Sequence, residues 1–429
     1  MINALPLIAM VVFLILGVPI AFALAGAGML GIWLVKGSFY GVLGIVGTAS
    51  YSSVADYIFT TIPTFVLMAY LSSASGLARD LYDAASKWLS QLRGGLAIAT
   101  VFASAIFGAM SGSSTAGASV MSNVAMPQMR RVGYSEELAS GSIAVGSVLN
   151  ILIPPSGAMI IYGIATETSI AKLLIAGFLP GVVLTILLSL AIFIWVSIRP
   201  LHAPRTEPIL WSERWRSLYR IWPSLLLILM VMILLYSGIA TPTEVGALGA
   251  FMAGVIGVAL KRLTWSGIIE AIKGTVRITT MIFLIIIGAN IFGYFMTLSK
   301  VPQLIVATLT EWNVNRYVII VFIVAIYFAI SMFMDEIPLL LITLQVTFPL
   351  IIHLGFDPIW YGVLCVLMVS MGLIFPPVGM CAFVVSAAAK VDLMKVYKGT
   401  SILVIAIIVT TLLVIVFPQI ALWLPSTMR

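Results

Sequence analysis

Two short stretches put unusual chemistry inside very apolar sequence. "NILIPPSG" at 150–157 and "GLIFPPVG" at 372–379 each place a proline pair beside glycine in a run without charge. In an α-helix the carbonyl of residue i accepts from the amide of i+4, and proline has no amide to give. Pro154 and Pro155 therefore release the carbonyls of Asn150 and Ile151, and Pro376 and Pro377 release those of Gly372 and Leu373. Freed carbonyls form the negative end of a helix dipole and suit a small cation. The amides that begin the next helix, at Ser156-Gly157 and Val378-Gly379, suit an anion. Two more polar clusters interrupt apolar segments: Ser111, Gly112, Ser113 and Ser114 in one, Ser331, Asp335 and Glu336 in the other. Each break, opposed by one cluster, is expected to hold one Na⁺, the two together helping to hold an anionic solute. Asp335 reads as a cap of the helix that follows it as well as an ion or solute group. Glu244, in "TPTEVG", reads as a helix cap, and Asp56 as a cap or interface residue.

Such chemistry needs a frame without water. The chain has 429 residues, 62% of them hydrophobic and 9% charged, with a mean hydropathy of +1.18. A soluble domain carries about a quarter charged residues. Apolar runs of about 20 residues, long enough to cross a bilayer core, recur from end to end. The expected fold class is an all-α polytopic membrane protein, with the lipid bilayer as its solvent. Unsatisfied backbone groups are costly in hydrocarbon, so the broken segments must be buried in protein or line a polar cavity.

The first charged side chain is Lys36, so the N-terminus does not read as a secretory leader. Cys365 and Cys381 lie in apolar segments and read as buried thiols. His202 and His353 have no partner at metal-ligand spacing and read as surface histidines. The net charge of +7 reads as membrane topology rather than nucleic-acid binding, because the basic residues cluster in loops. No G-x-x-x-x-G-K-[ST], H-E-x-x-H or G-x-S-x-G occurs, which argues against a P-loop ATPase and the commoner hydrolases. A transporter, not an enzyme, is the expectation.

The break motif recurs at a displacement of 222, which also carries Pro127 onto Pro349, Gly133 onto Gly355 and Met110 onto Met332. Two repeats follow: residues 1–200 and 222–429, joined by a cytoplasmic linker over 201–221. Arg199, Arg205, Arg214, Arg216 and Arg220 in and beside that linker place it inside by the positive-inside rule. Five crossings and one re-entrant hairpin per repeat then leave both termini outside. An odd number of crossings inverts one repeat relative to the other. The hairpins are expected at about 94–128 and 316–350, with arms too short to cross, and the broken helices at about 137–165 and 358–388. The stretch 77–95 reads as an interfacial amphipathic helix leading into the first hairpin.

The ordered series "FGAMSGSSTAGAS", "MPQMRRVGYSEELASGSIAV", "ILIPPSGAMIIYG", "LLIAGFLPG", "IATPTEVGALGA", "MFMDEIPLLLITLQVTFPLI" and "GLIFPPVGM" resembles the large membrane subunit of TRAP (tripartite ATP-independent periplasmic) transporters over nearly the whole chain. The resemblance implies Na⁺-driven uptake of an organic acid across the bacterial cytoplasmic membrane. It implies delivery by a periplasmic substrate-binding protein, a small four-helix membrane subunit as partner, and an elevator-type fold of scaffold and moving domain. It places a first Na⁺ site on Ser111, Gly112, Ser113, Asn150, Ile153 and Pro154, and a second on Ser331, Gly372, Phe375 and Val378. Solute groups are expected at Ser114, Ser156, Gly157, Asp335 and Gly379. Two residues depart from the family pattern: Asn150 stands where glycine is usual, and Phe375 where threonine is frequent. Phe375 has no hydroxyl to offer, which puts the second Na⁺ site in doubt. A stand-alone Na⁺/organic-anion symporter is the alternative reading.

Overall fold

Every regular element among the described residues is helical, as backbone in hydrocarbon requires. The computed structural model describes residues 4–204, 209–311 and 315–428; Arg205 of the linker lies outside them. The first repeat begins with α1 (Ala4–Ile15), α2 (Ile20–Lys36), α3 (Phe39–Ser52), α4 (Thr61–Ala74) and α5 (Leu77–Leu89). Next come α6 (Gly95–Ser111) and α7 (Ser114–Val132), then the halves of a broken helix, α8 (Glu136–Ser147) and α9 (Gly157–Thr166), and finally α10 (Ile170–Ala176) and α11 (Phe178–Ile198). The linker forms α12 (Trp211–Arg220), and the second repeat opens with α13 (Trp222–Ser237), α14 (Pro242–Ala259), α15 (Trp265–Ser299) and α16 (Val301–Glu311). It continues with α17 (Arg316–Ser331) and α18 (Glu336–His353), the halves α19 (Pro358–Gly372) and α20 (Met380–Ala389), then α21 (Leu393–Val416) and α22 (Gln419–Ser426).

The displacement of 222 lays α2 on α14, α6 on α17, α7 on α18, α8 on α19 and α9 on α20. One element breaks the match. Where α15 runs unbroken for 35 residues, its counterpart is divided into α3 and α4. Asp56 makes that division, capping a single tight turn at Tyr57–Thr60 by accepting from the Ile58 amide at 3.0 Å. Glu244 caps α14 in a reciprocal pair with Thr241, as expected.

Both hairpins close at their open ends. The Leu96 amide at the start of α6 donates to the Tyr134 hydroxyl just past α7, at 3.2 Å. At the equivalent place Tyr317, at the start of α17, meets Phe356 just past α18 edge to face, with ring centroids 5.8 Å apart. The arms run to Val132 and His353, slightly beyond the expected ends. By length and composition six helices among the described residues can cross a bilayer, or seven with the bent pair α12–α13. Five crossings per repeat therefore need shorter apolar helices such as α1 and α2 to cross as well. One of the six is α18, against the expectation that each hairpin arm is too short; the Tyr317–Phe356 contact keeps it an arm of the hairpin.

Packing sorts the helices into two groups. Helix α2 lies against α15, and reciprocally α14 lies against α4. Small residues permit the approach: a Cβ on Gly28 would come within 2.7 Å of the Phe292 amide nitrogen, and one on Gly31 would enter the Phe295 ring. The other group joins the hairpins to the broken helices and α21. There a Cβ on Gly141 of α8 would lie 2.7 Å from the Gly399 backbone of α21. Helix α5 touches both groups, through Arg262–Asp80 on one side and Gln128 Nε2 donating to Asp83 Oδ1 at 2.9 Å on the other.

Glu136 joins the start of α8 to Lys395 of α21 at 2.8 Å and to Arg130 of α7 at 3.1 Å. The Lys395 ammonium first, then Arg130, hold its carboxyl below the ordinary glutamate range. His202 is not the free surface histidine expected. It is half-buried, with Nδ1 2.8 Å from Ser135 Oγ and its ring on Trp195. His353 is exposed in the last turn of α18, and both cysteines are buried and unpaired.

Gly28→Ala is expected to force α2 off α15 and destabilise the protein by about 1–3 kcal/mol. Gly44→Ala, whose Cβ meets nothing within 4 Å, is expected to be neutral or slightly stabilising. Thermal unfolding of the two variants in one detergent checks the contrast; equal midpoints would contradict the packing account.

Candidate functional site

The turn of the first hairpin is made by Gly112, which ends α6 with φ +59°, and by Ser113, whose hydroxyl caps α7. The first break lies against it, and both Pro-Pro bonds of the chain are cis. Ser156 caps α9 by accepting from the Met159 amide at 3.2 Å and donates its own proton to the Ile151 carbonyl, one of the two that the prolines release. The Gly157 amide donates to the Gly112 carbonyl at 3.1 Å. In the second repeat the Gly379 amide donates to the Met332 carbonyl, also at 3.1 Å.

These bonds correct the expected anion site. The amides of Gly157 and Gly379 hold break to tip, and Ser156 is fully buried with its hydroxyl engaged on both sides. The cause is that a buried amide beside a free carbonyl takes it as acceptor.

The two breaks differ in what they leave open. In the second, the Gly372 carbonyl accepts from the Phe375 amide at 3.2 Å and the Leu373 carbonyl from the Cys381 amide at 2.8 Å. Thr400 Oγ1 donates to Ile374, and the Tyr397 hydroxyl to both Pro377 and Val378. Ser331 Oγ donates to the Phe328 carbonyl and occupies the space a Cβ at Gly372 would need. The Phe375 ring packs on Phe328 with centroids 5.4 Å apart. The expectation of two open carbonyls therefore fails in this repeat. In the first repeat the Asn150 carbonyl receives no donor among the described residues.

Asn150 also does what no spacing rule foretold. Its side chain is wholly buried between the arms of the first hairpin, where Gly108 and Gly117 make room; a Cβ on Gly117 would coincide with Asn150 Nδ2. Nδ2 donates to the Ser113 carbonyl at 3.3 Å, while Oδ1 is buried without a partner. Ser111 Oγ is likewise buried without a partner.

The two tips meet. Ser114 Oγ donates to Glu336 Oε2 at 2.6 Å, and both residues are buried, at 0% and 4% exposure. They are 222 positions apart, so each is the other's counterpart and their bond lies on the two-fold relation between the repeats. Ser114 thus faces the opposite tip rather than a solute. Beside this junction is a cavity of about 110 Å³. The tips contribute Ser111, Gly112, Ser113, Thr115, Asp335 and Glu336 to its wall. Pro155 and Gly157 of the first break close one side, and Phe65 of α4 and Met281 of α15 stand opposite. Ser331, Gly372, Phe375, Val378 and Gly379 do not line it.

Asp335 occupies the cap position of α18 but makes no cap bond, and its Oδ1 is buried without a partner. The cap reading is corrected: it is a cavity residue. The α4 and α15 walls were not foreseen, because their apolar side chains look in sequence like any lipid-facing stripe.

The profile of the family "Tripartite ATP-independent periplasmic transporter, DctM component" matches residues 7–420. Among similar proteins, the C4-dicarboxylate TRAP transporter large permease protein DctM of Pseudomonas aeruginosa is 33% identical over 374 residues, 86% of either chain. The ectoine TRAP transporter large permease protein TeaC of Halomonas elongata is 31% identical over 422 residues, 97% of either chain. The crystal structure of the Alcanivorax borkumensis YdaH transporter shares the fold with a TM-score of 0.60 at 16% identity, over 90% of this chain and 88% of that one.

Gly117→Ala is expected to collide with Asn150, costing about 1–3 kcal/mol, and Asn150→Gly is expected to relieve most of that cost. A double-mutant cycle by thermal unfolding measures the coupling. Additive effects would mean that Asn150 does not fill the space between the arms.

Proposed function

The chain belongs to the DctM-component family of TRAP transporters, and from that premise we propose that it is a Na⁺-coupled, elevator-type permease. Membership makes it a multi-pass membrane subunit, not an enzyme, that works with a solute-binding protein and a small membrane subunit to move an organic acid. Na⁺ coupling, the cytoplasmic membrane with both termini outside, and a four-helix architecture for the small subunit belong to our reading.

The observation that carries it is the position of the cavity. It lies between the joined hairpin tips and the α4–α15 wall, on the border of the two packing groups. The tips are fixed to the breaks by the Gly157–Gly112 and Gly379–Met332 bonds and to each other by Ser114–Glu336. Such a unit slides past α4 and α15 as one body and carries the cavity from one face of the membrane to the other.

The first tip fits a hard cation. Ser111 Oγ, Asn150 Oδ1 and the released Asn150 carbonyl are oxygens wanting a partner, which are the ligands such ions take. Ser113 and Thr115 stand beside them in the cavity wall. Bound there, Na⁺ supplies positive charge beside the solute carboxylate. The second set of residues fits less well, since the Gly372 and Val378 carbonyls already accept and the Phe375 side chain brings no oxygen. One strong Na⁺ site, in the first repeat, is the reading.

Proteoliposomes holding the chain and its small subunit, with Na⁺ outside and no ATP, test it. Uptake of a labelled acid is expected only with Na⁺ and the binding protein together. Uptake without the binding protein would move the chain to the stand-alone class, and uptake without Na⁺ would remove the coupling. Ser111→Ala is expected to raise the Na⁺ concentration for half-maximal uptake severalfold. Pro154→Ala with Pro155→Ala restores the helix and is expected to abolish uptake while membrane insertion persists; normal uptake would overturn the cation site.

A further inference from the structure

Far from the cavity, one cation is buried with nothing to answer it. Arg214, on the linker helix α12, is 6% exposed. Its Nε and Nη2 are shut in without a partner, and no ion pair reaches the guanidinium among the described residues. Nη1 is the one nitrogen not so enclosed. The acids of the helices around it are engaged or exposed. Glu213, the only acid on α12, is exposed. On the packed helix α5, Asp80 pairs with Arg262 and Asp83 accepts from Gln128. Helix α13 carries no charge at all.

Aromatic rings build the seam around this cation. The Trp211 ring lies with its centroid 5.0 Å from Arg214 Cζ. Trp88 of α5 stands edge-on to both Trp211 and Trp215 and donates Nε1–H to the Arg214 carbonyl at 3.2 Å. A ring face offsets part of the cost of a buried guanidinium, but it brings no opposite charge. Helix α12 is also sorted the reverse way from a helix in water. Arg214 and Ser217 face the protein, while Trp211, Trp215 and Tyr219, four residues apart, form a stripe 64%, 63% and 77% exposed. Arg216 and Arg220 flank that stripe and are exposed. Such rings with arginines beside them belong at the level of lipid headgroups. A bend of 49° from the apolar span α13 brings α12 out of the bilayer at that level.

We propose that the seam of α5 and α12 binds the phosphate of an anionic phospholipid, with Arg214 as its counter-charge. The phosphate meets the guanidinium from the Nη1 side, and a planar guanidinium is the side chain suited to phosphate oxygens. The start of α12 adds positive character to the same turn, because its cap residue Leu210 makes no side-chain cap bond. Arg216 and Arg220 favour a headgroup of net negative charge over a zwitterionic one. A carboxylate of the small subunit would bring the same charge. The exposed aromatic stripe beside the seam favours the lipid, whose headgroup lies where those rings are placed.

The test uses the chain with its small subunit, stripped of lipid in a neutral detergent. Four probes are titrated separately: dioleoyl-phosphatidylglycerol, dioleoyl-phosphatidylcholine, dioleoylglycerol and inorganic phosphate. Apparent affinity is read from the rise of the unfolding midpoint. Phosphatidylglycerol is expected to act at about fivefold or more lower concentration than phosphatidylcholine, and the other two probes to have little effect. Arg214→Gln is expected to remove that preference. Arg214→Lys keeps the charge without the planar fork and is expected to retain part of it, which keeps the test open if the glutamine variant does not fold.

Equal stabilisation by dioleoylglycerol would mean that acyl chains alone bind, and equal stabilisation by inorganic phosphate that the site takes a free ion. Either result would overturn the proposal. So would a preference left intact by both substitutions, or no effect of phosphatidylglycerol on the wild type. Stabilisation of the isolated chain that vanishes when the small subunit is added would give Arg214 to an acid of that subunit, and would overturn the lipid site too. None of these outcomes bears on solute uptake, which is read at the hairpin tips.

Discussion

In hydrocarbon, each backbone donor and acceptor must find a partner within the protein. The architecture around the site is a set of answers to that demand. Two proline pairs deny amides to four carbonyls, and the glycines at the starts of α9 and α20, Gly157 and Gly379, offer amides with no turn before them. The repeats bring each break to a hairpin tip, where surplus amide meets surplus carbonyl: Gly157 with Gly112, Gly379 with Met332. A hairpin tip alone or a broken helix alone would be left unsatisfied in the membrane. Together they form a unit whose polar interior faces itself, which allows it to present an apolar outside to a neighbouring wall.

The repeats share that plan and spend it differently. In the second, hydroxyls and amides recapture the Gly372, Leu373, Ile374, Pro377 and Val378 carbonyls, with Tyr397 and Thr400 reaching in from α21. In the first, Ser156 recaptures one, and the Asn150 side chain adds a further oxygen without a partner. The scaffold diverges as well. Asp56 divides α3 from α4, while the corresponding stretch of α15 stays whole and runs past both tips as one long wall.

What could be read from sequence was what is local. Prolines mark the breaks, glycines the turns, and arginines the linker. Asp56 and Glu244 announce their caps by standing two or three residues from the amides they satisfy. What could not be read depends on distance in the chain. The donors that close the second break lie about 20 to 26 residues further on, in α21. The room for Asn150 is made by Gly108 and Gly117, more than 30 residues earlier. The cavity wall comes from α4 and α15, whose apolar faces carry no mark to separate them from lipid-facing ones. Asp335 misled for a related reason: its sequence position is that of a cap, and only the tertiary structure shows that its carboxylate makes no cap bond.

The Ser114–Glu336 contact bears on how such a molecule can come into being. Two separate copies of a half-length ancestor, assembled about a two-fold axis, would have to set each axial residue against itself. Serine facing serine is tolerable, since each hydroxyl both gives and accepts. Glutamate facing glutamate is costlier, for two buried carboxylates repel unless they share a proton. A pair of unlike residues on the axis becomes available only after both halves are carried on one polypeptide and can change independently. A single carboxyl answered by a hydroxyl is therefore an asymmetry that one polypeptide permits and two identical halves do not.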